Sequence, residues 1–274
     1  MSVRFTILGS GSTGNCAYVE TAKARLLIDA GFSAKQIGLR LSQIGADPAK
    51  LTGVLLTHEH TDHTNGLGNL SKKLKFPLPI YCNRLTKEAV EQQFENQLEF
   101  KVFTTGASFE IGDIVIETFS VPHDAYDPVG FLLQINGLRL GFLTDLGHAT
   151  KLVVERVRRA NVLVLETNHD LKMLQDDTRR PWSIKQRILS RHGHLSNEAA
   201  ANVLEEIISP ELRHLYLGHR SRDCNTPELA YRTITDRLRK LGGSHVDVQS
   251  TSQENPSPTL VLETKALSQN ELFS

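Results

Sequence analysis

The chain has 274 residues, 39% hydrophobic and 23% charged, with 31 Lys and Arg balancing 31 Asp and Glu. A chain of this length buries roughly three quarters of its unfolded surface, so a substantial core is expected and disorder is excluded. The balanced charge excludes a global field that steers the chain to nucleic acid or membrane, though not a local basic patch.

No apolar stretch approaches the roughly 20 residues of a membrane span. Met1 to Asn15 lacks the apolar centre of a signal peptide. Cys16, Cys82 and Cys224 are scattered and odd in number, with no CxxC pair. They suggest no disulfide framework, and a reducing cytoplasm is the expected setting.

Val3 to Leu8 reads as a strand. The glycine-rich run Gly9-Ser10-Gly11-Ser12-Thr13-Gly14-Asn15 follows it. That run lacks the lysine of a P-loop and precedes a strand-like segment, so a tight turn is expected there rather than a phosphate cradle. Arg25 to Ile28 is a second hairpin arm ending at Asp29. Ser33 caps a helix whose apolar face is Ile37, Leu41 and Ile44. Gly53 to Thr57 reads as a buried strand. Thr64 to Lys73 and Thr86 to Phe94 read as helices around the strand Ile80 to Cys82. A hairpin spans Val129 to Thr144, with Asn136-Gly137 as its turn. Helices are expected at Lys151 to Ala160, Ser196 to Ile208 and Pro227 to Leu241. Further strands are expected at Val162 to Leu165, Val246 to Val248 and Thr259 to Leu262. The mixture predicts an α+β fold, two mixed sheets packed under outer helices. One domain is expected over residues 1–264, with a frayed tail over 265–274.

The densest chemistry is His58-Glu59-His60-Thr61-Asp62-His63, directly after the strand at Gly53 to Thr57. On an extended segment alternate side chains share a face, so His58 and His60 can point together while Asp62 and His63 follow the turn. Imidazole with carboxylate suits Zn²⁺, and also Mn²⁺ or Fe. Three more ligand types each follow a strand-like segment: His123, Asp145 and His219. Strand ends on one sheet edge converge even when distant in sequence.

This ordered set resembles the metallo-β-lactamase superfamily, over nearly the whole chain. The resemblance implies an αββα sandwich with a dinuclear site. His58, His60 and His123 would bind one metal, Asp62, His63 and His219 the other, and Asp145 would bridge them. True β-lactamases commonly carry a cysteine where Asp145 stands, so other hydrolases of the superfamily are implied. Val162 to Thr167, Gly193-His194-Leu195-Ser196 and Leu217 to Ser221 resemble motifs of the ribonuclease Z group, whose long substrate-clamping insertion is not evident here. The opening glycine-rich run, His123 to Pro128 and Asn168-His169-Asp170 resemble the YycJ/WalJ branch, which is associated with exonuclease activity on DNA. Arg220, Cys224 and His148 depart from that branch and put fine substrate preference in doubt.

The expected function is therefore a dinuclear-metal phosphodiester hydrolase, a nuclease or exonuclease acting on DNA. A small-molecule phosphodiesterase, a thioester or lactone hydrolase, and a non-catalytic metal-stabilised protein are the alternatives. The resemblance assigns His194 as general acid, oriented by Glu166, with Asp62 helping to hold the attacking water. Ser196 at a helix start offers N–H groups to a phosphate. Arg179 to His194 contains Arg179, Arg180, Lys185, Arg187 and Arg191, no acid, and the lone Trp182. It is the candidate surface for a nucleic-acid backbone. His169 and His192 read as structural or surface residues.

Overall fold

The computed structural model describes residues 2–74, 76–94 and 98–263, so the expected tail lies outside the described residues. Among the described residues fourteen strands form two sheets of seven. The first sheet contains β1 (Ser2–Gly9), β2 (Cys16–Glu20), β3 (Arg25–Ile28), β4 (Gly53–Leu55), β5 (Ile80–Asn83), β6 (Phe100–Phe103) and, at the β1 edge, β14 (Leu260–Glu263). The second contains β7 (Ser108–Ile111), β8 (Ile114–Ser120), β9 (Val129–Ile135), β10 (Leu138–Leu143), β11 (Val162–Glu166), β12 (His214–Gly218) and β13 (Asp247–Ser250). Each sheet is antiparallel in one part and parallel in the other.

Strand alternation sorts the core into three layers. Val3, Phe5 and Ile7 of β1 meet Phe131, Leu133, Val162 and Val164 of the second sheet in the central layer. Shortening fully buried Phe131 to alanine should cost about 3–5 kcal/mol. The next residues along β11, Leu163 and Leu165, face outward onto α5 (Lys151–Val157), α8 (Asn197–Ile207) and α9 (Pro227–Lys240). On the opposite face, Leu27, Val54 and Ile80 pack against α1 (Ala34–Gln43), α3 (Leu67–Leu74) and α4 (Arg84–Glu91). The result is the expected αββα sandwich.

Local signals explain most element ends. Ser33, Thr150, Ser196 and Thr226 each accept a hydrogen bond from a backbone N–H at a helix start. Asn136 and Gly137 take φ of 48° and 83°, the positive pair that a two-residue hairpin turn requires. The helix expected over Thr64 to Lys73 is instead split into α2 (Thr61–Thr64) and α3. The break lies at Gly66, whose N–H donates to Ala30 O at 2.8 Å. A Cβ there would lie 2.3 Å from Phe32 O, so the close backbone approach admits only glycine. Two helices, α6 (Leu171–Asp176) and α7 (Trp182–Leu189), lie where no helix was assigned from sequence. Among the described residues no helix is long and apolar enough to cross a membrane.

Candidate metal centre and active site

β8 and β10 are each antiparallel to β9, and β11 and β12 run parallel to β10. All four strands therefore end at the same edge. His123 follows β8, Asp145 follows β10, Glu166 is the last residue of β11 and His219 follows β12. From the other sheet, β4 leads into His58 and His60, and α2 carries Asp62 and His63. Glu59, between the two histidines, turns away and accepts from Tyr126 N at 2.9 Å. Asp29, Asp145 and His219 hold φ of 61°, 58° and 50°, a region that side chains seldom occupy outside sites that demand it.

The structure brings the seven expected ligands together. His58, His60 and His123 offer atoms within 4.8 Å of one another, and so do Asp62, His63 and His219. Asp145 lies between the groups. Its carboxylate is 3.2 Å from His63 Nε2, 3.2 Å from His219 Nε2 and 3.8 Å from His123 Nε2. The donor set fits divalent cations. His123 Nε2 and Asp145 Oδ2 are both buried with no partner in hydrogen-bonding geometry, which leaves their lone pairs for a cation.

The carboxylates draw positive charge inward. Burial opposes ionisation of Asp145, yet His219 and His63 hold its carboxyl well below the usual range. Burial likewise opposes charge on His219, but Asp145, Asp62 and Glu166 lift it to about 10. His63 is raised well above the ordinary histidine value against burial, by Asp145, Asp62 and Asp29. Burial pushes His58 well below it.

Supporting residues fix which nitrogen faces the centre. Asp29 accepts from His63 Nδ1 at 2.8 Å and from Thr57 N at 2.9 Å. Gly193 O accepts from His123 Nδ1 at 3.1 Å. Glu166, fully buried, accepts from His219 Nδ1 and His194 Nδ1, both at 2.8 Å, through Oε1. Its Oε2 accepts from Leu146 N at 3.1 Å and Leu195 N at 3.0 Å. The glycine-rich turn also serves the centre. Asn15 Nδ2 donates to Asp62 Oδ2 at 3.2 Å, and Ser10 Oγ accepts from His219 N at 2.7 Å. Sequence reasoning gave no role to Asp29, Asn15, Ser10 or Asn168, whose Nδ2 donates to His219 O at 2.9 Å. The signal for Asp29 was available: an acid directly after a buried strand, as with Asp145.

The basic stretch has acquired acids from outside itself. Arg179 pairs with Asp177 at 3.3 Å and Asp223 at 3.2 Å. Arg180 pairs with Asp177 and, at 2.9 Å, with Asp223. Arg187 pairs with Asp124, and Arg191 Nη2 lies 3.0 Å from His148 Nε2. The Ser196 hydroxyl accepts from Ala199 N at 3.1 Å as the cap of α8. A cavity of about 250 Å³ opens at the ligand cluster, with Asp62, Asp145, His194 and His219 on one side and Ile184, Arg187 and Ile188 of α7 on the other.

The Beta-lactamase superfamily domain matches residues 24–219 of this chain. It belongs to the metallo-β-lactamase superfamily. The chain is 38% identical to the exodeoxyribonuclease YycJ of Bacillus anthracis over 263 residues, 94% of this chain and 98% of that one. It is 36% identical to the exodeoxyribonuclease WalJ of Streptococcus pneumoniae over 262 residues, 93% and 96% of the two chains. The metallo-β-lactamase fold protein YhfI of Bacillus subtilis superposes with a TM-score of 0.71 at 15% identity, covering 94% of this chain and 99% of that one. This metallo-β-lactamase-superfamily chain is thus a hydrolase. Its fold implies divalent metal ions, and its His and Asp clusters can hold them.

Proposed function

We propose that the protein is a dinuclear-metal nuclease, an exonuclease that hydrolyses phosphodiesters of DNA. The observation that carries this reading is the Glu166–His194 pair at the rim of the ligand cluster, supported by the relatives named as exodeoxyribonucleases. His58, His60 and His123 would hold one cation and Asp62, His63 and His219 the other, with Asp145 as the carboxylate available to both. When bound, the two cations, Zn²⁺ or Mn²⁺, lower the pKa of an attacking water and offset phosphoryl charge.

The protein's own groups supply the rest. Asp62, 23% exposed at its side chain and lining the cavity, is the group we assign to help hold the attacking water. His194 has Nδ1 committed to Glu166, which leaves Nε2 as the proton carrier. Glu166 stays ionised: burial opposes this, but His194 and His219 hold its pKa at about 2. With that carboxylate orienting the ring from behind, His194 is the group we assign to protonate the leaving oxygen. Arg179, Arg187 and Arg191 are exposed, Arg187 lines the cavity although paired with Asp124, and these are the cations we assign to a polyanion. With its hydroxyl spent on the cap, Ser196 can offer a phosphate only backbone contacts. The three free cysteines are buried, in keeping with a reducing cytoplasm.

A small phosphodiester is the second reading, favoured by the ion pairs that occupy Arg180 and Arg187. Purified protein with Zn²⁺ or Mn²⁺ should be offered linear DNA duplex, single-stranded DNA, short RNA, bis-p-nitrophenyl phosphate and a thioester. The proposal expects stepwise loss of nucleotides from linear DNA. Turnover of bis-p-nitrophenyl phosphate without any on DNA would favour the small phosphodiester, and thioester turnover alone would end both.

A further inference from the structure

By chemistry the lining of the cavity divides into two halves, the ligand cluster and a second set of side chains. Leu174 of α6 and Ile184 and Ile188 of α7 form that second half, and His169 lies against it. His169 is 1% exposed, yet neither Nδ1 nor Nε2 has a hydrogen-bond partner among the described residues. Folded proteins leave few buried polar groups unmet, and one beside a cavity marks a partner that the protein does not itself supply. The backbone around the ring is fixed, since His169 O accepts from Asn197 N at 2.9 Å.

The chemistry of that half selects its occupant. Burial pulls His169 down to about 4, so near neutral pH one ring nitrogen donates and the other accepts. Arg180 also lines the cavity, but Asp177 and Asp223 already hold its guanidinium. Arg187, the other arginine of the lining, is paired with Asp124, so among the described residues that line the cavity a phosphate would find no unpaired arginine. A flat group with apolar faces and a donor–acceptor edge would find a partner on every side. The whole cavity, ligand cluster included, measures about 250 Å³, which leaves no room for a stack or a pair of such groups.

We propose that this half is a base subsite, in which His169 hydrogen-bonds the nucleobase beside the scissile phosphate while Leu174, Ile184 and Ile188 cover its faces. The proposal rests on the nuclease reading and deepens it. Reading an unstacked base by edge hydrogen bonds and apolar walls is a general solution for enzymes that must take a base out of its stack.

The test compares a linear oligonucleotide with one whose terminal nucleotide, at each end in turn, is a tetrahydrofuran abasic unit. Wild type and His169→Ala are assayed on both, with metal content and thermal midpoint measured alongside. At the end the enzyme engages, wild type should lose roughly 5- to 100-fold in kcat/KM without the base. His169→Ala should show a much smaller ratio between the two substrates. Ile184→Ala, on a partly exposed position of α7, should compress the ratio too and decides the matter if His169→Ala does not fold. Equal wild-type rates on both substrates at both ends would overturn the subsite, as would a wild-type ratio in the variants, the result expected of a merely structural ring. Hydrolysis of bis-p-nitrophenyl phosphate with none of either oligonucleotide would instead overturn the nuclease reading, and the subsite with it.

Discussion

His194 and His219 share one carboxylate oxygen: Nδ1 of each ring lies 2.8 Å from Oε1 of Glu166. The same buried acid therefore orients the proposed proton carrier and a proposed metal ligand. Glu166→Gln would put an uncharged amide against both rings and discard the negative charge. Metal affinity should fall roughly 10- to 100-fold, the usual cost of losing an outer partner of a ligand. A competition titration with a chromophoric chelator measures it, and kcat should fall with it. Wild-type affinity in the variant would remove Glu166 from the support of His219.

His194→Ala should retain both metals and slow DNA hydrolysis by roughly 10²–10⁴-fold. The loss should be smaller on bis-p-nitrophenyl phosphate, whose leaving group needs less protonation. Steady-state kinetics on the two substrates decide the point. Equal losses on both would take the acid role from His194.

Metal binding should release protons. Without metal, His63 is raised well above the ordinary histidine value and His219 to about 10, so both hold protons at neutral pH. A cation must displace them, and affinity must weaken as pH falls. Calorimetric titration of chelator-treated protein near pH 7.5, in buffers of different ionisation enthalpy, should show that release. The sign for stability runs the other way. A raised histidine pKa stabilises the metal-free fold below its unfolded value near 6.5, and that contribution is lost as pH rises through about 10. Buffer-independent heats would contradict the first expectation, and an unchanged thermal midpoint from pH 8 to 11 the second.

Asp29 should matter as much as a ligand. It is fully buried, holds a positive φ, and accepts from His63 Nδ1. Asp29→Ala should cost one of the two metals roughly 10- to 100-fold in affinity, and leave the buried Thr57 N–H without its side-chain acceptor. Elemental analysis after dialysis against weak chelator should show near one equivalent rather than two.

Replacing Arg179, Arg187 and Arg191 by glutamine should raise KM for DNA and flatten its dependence on salt, because fewer counterions are released. Arg180→Gln should act differently: of the two guanidiniums that hold Asp177 and Asp223 it is the more buried, 25% exposed against 67% for Arg179, so its loss loosens the segment between α6 and α7. A salt titration of kcat/KM separates the two classes. A wild-type slope in the triple variant would leave those arginines as solvated surface.

What the sequence made legible follows from contiguity. The run from His58 to His63 carries four potential ligands within six residues. His123, Asp145 and His219 each stand directly after an apolar strand. Parallel strands bring such positions to one edge without any knowledge of packing. The hairpin at Asn136-Gly137 and the caps Ser33, Ser196 and Thr226 were legible because their signals are local. The missing parts are long-range. Asp124 and Arg187 stand 63 residues apart, and Asp223 and Arg180 43, so the stretch that looked purely basic is partnered in part by acids no local window contains. Nothing in the sequence shows that Glu166 serves two rings, or that Asn15 in a glycine-rich turn reaches Asp62. The helix α6 could have been found, because Asp170 caps it by accepting from Met173 N, but its apolar face is too short for periodicity to register.

The central claim is that two metal ions held by seven clustered side chains drive hydrolysis of DNA from an end. Chelator-treated protein should be titrated with Mn²⁺ while release of nucleotides from a linear, end-labelled oligonucleotide is followed, with a circular strand of the same sequence as control. The account predicts no release without metal, a rate that reaches its plateau at two equivalents, and an intact circle. Release by metal-free protein, a plateau at one equivalent, or equal cutting of the circle would contradict it.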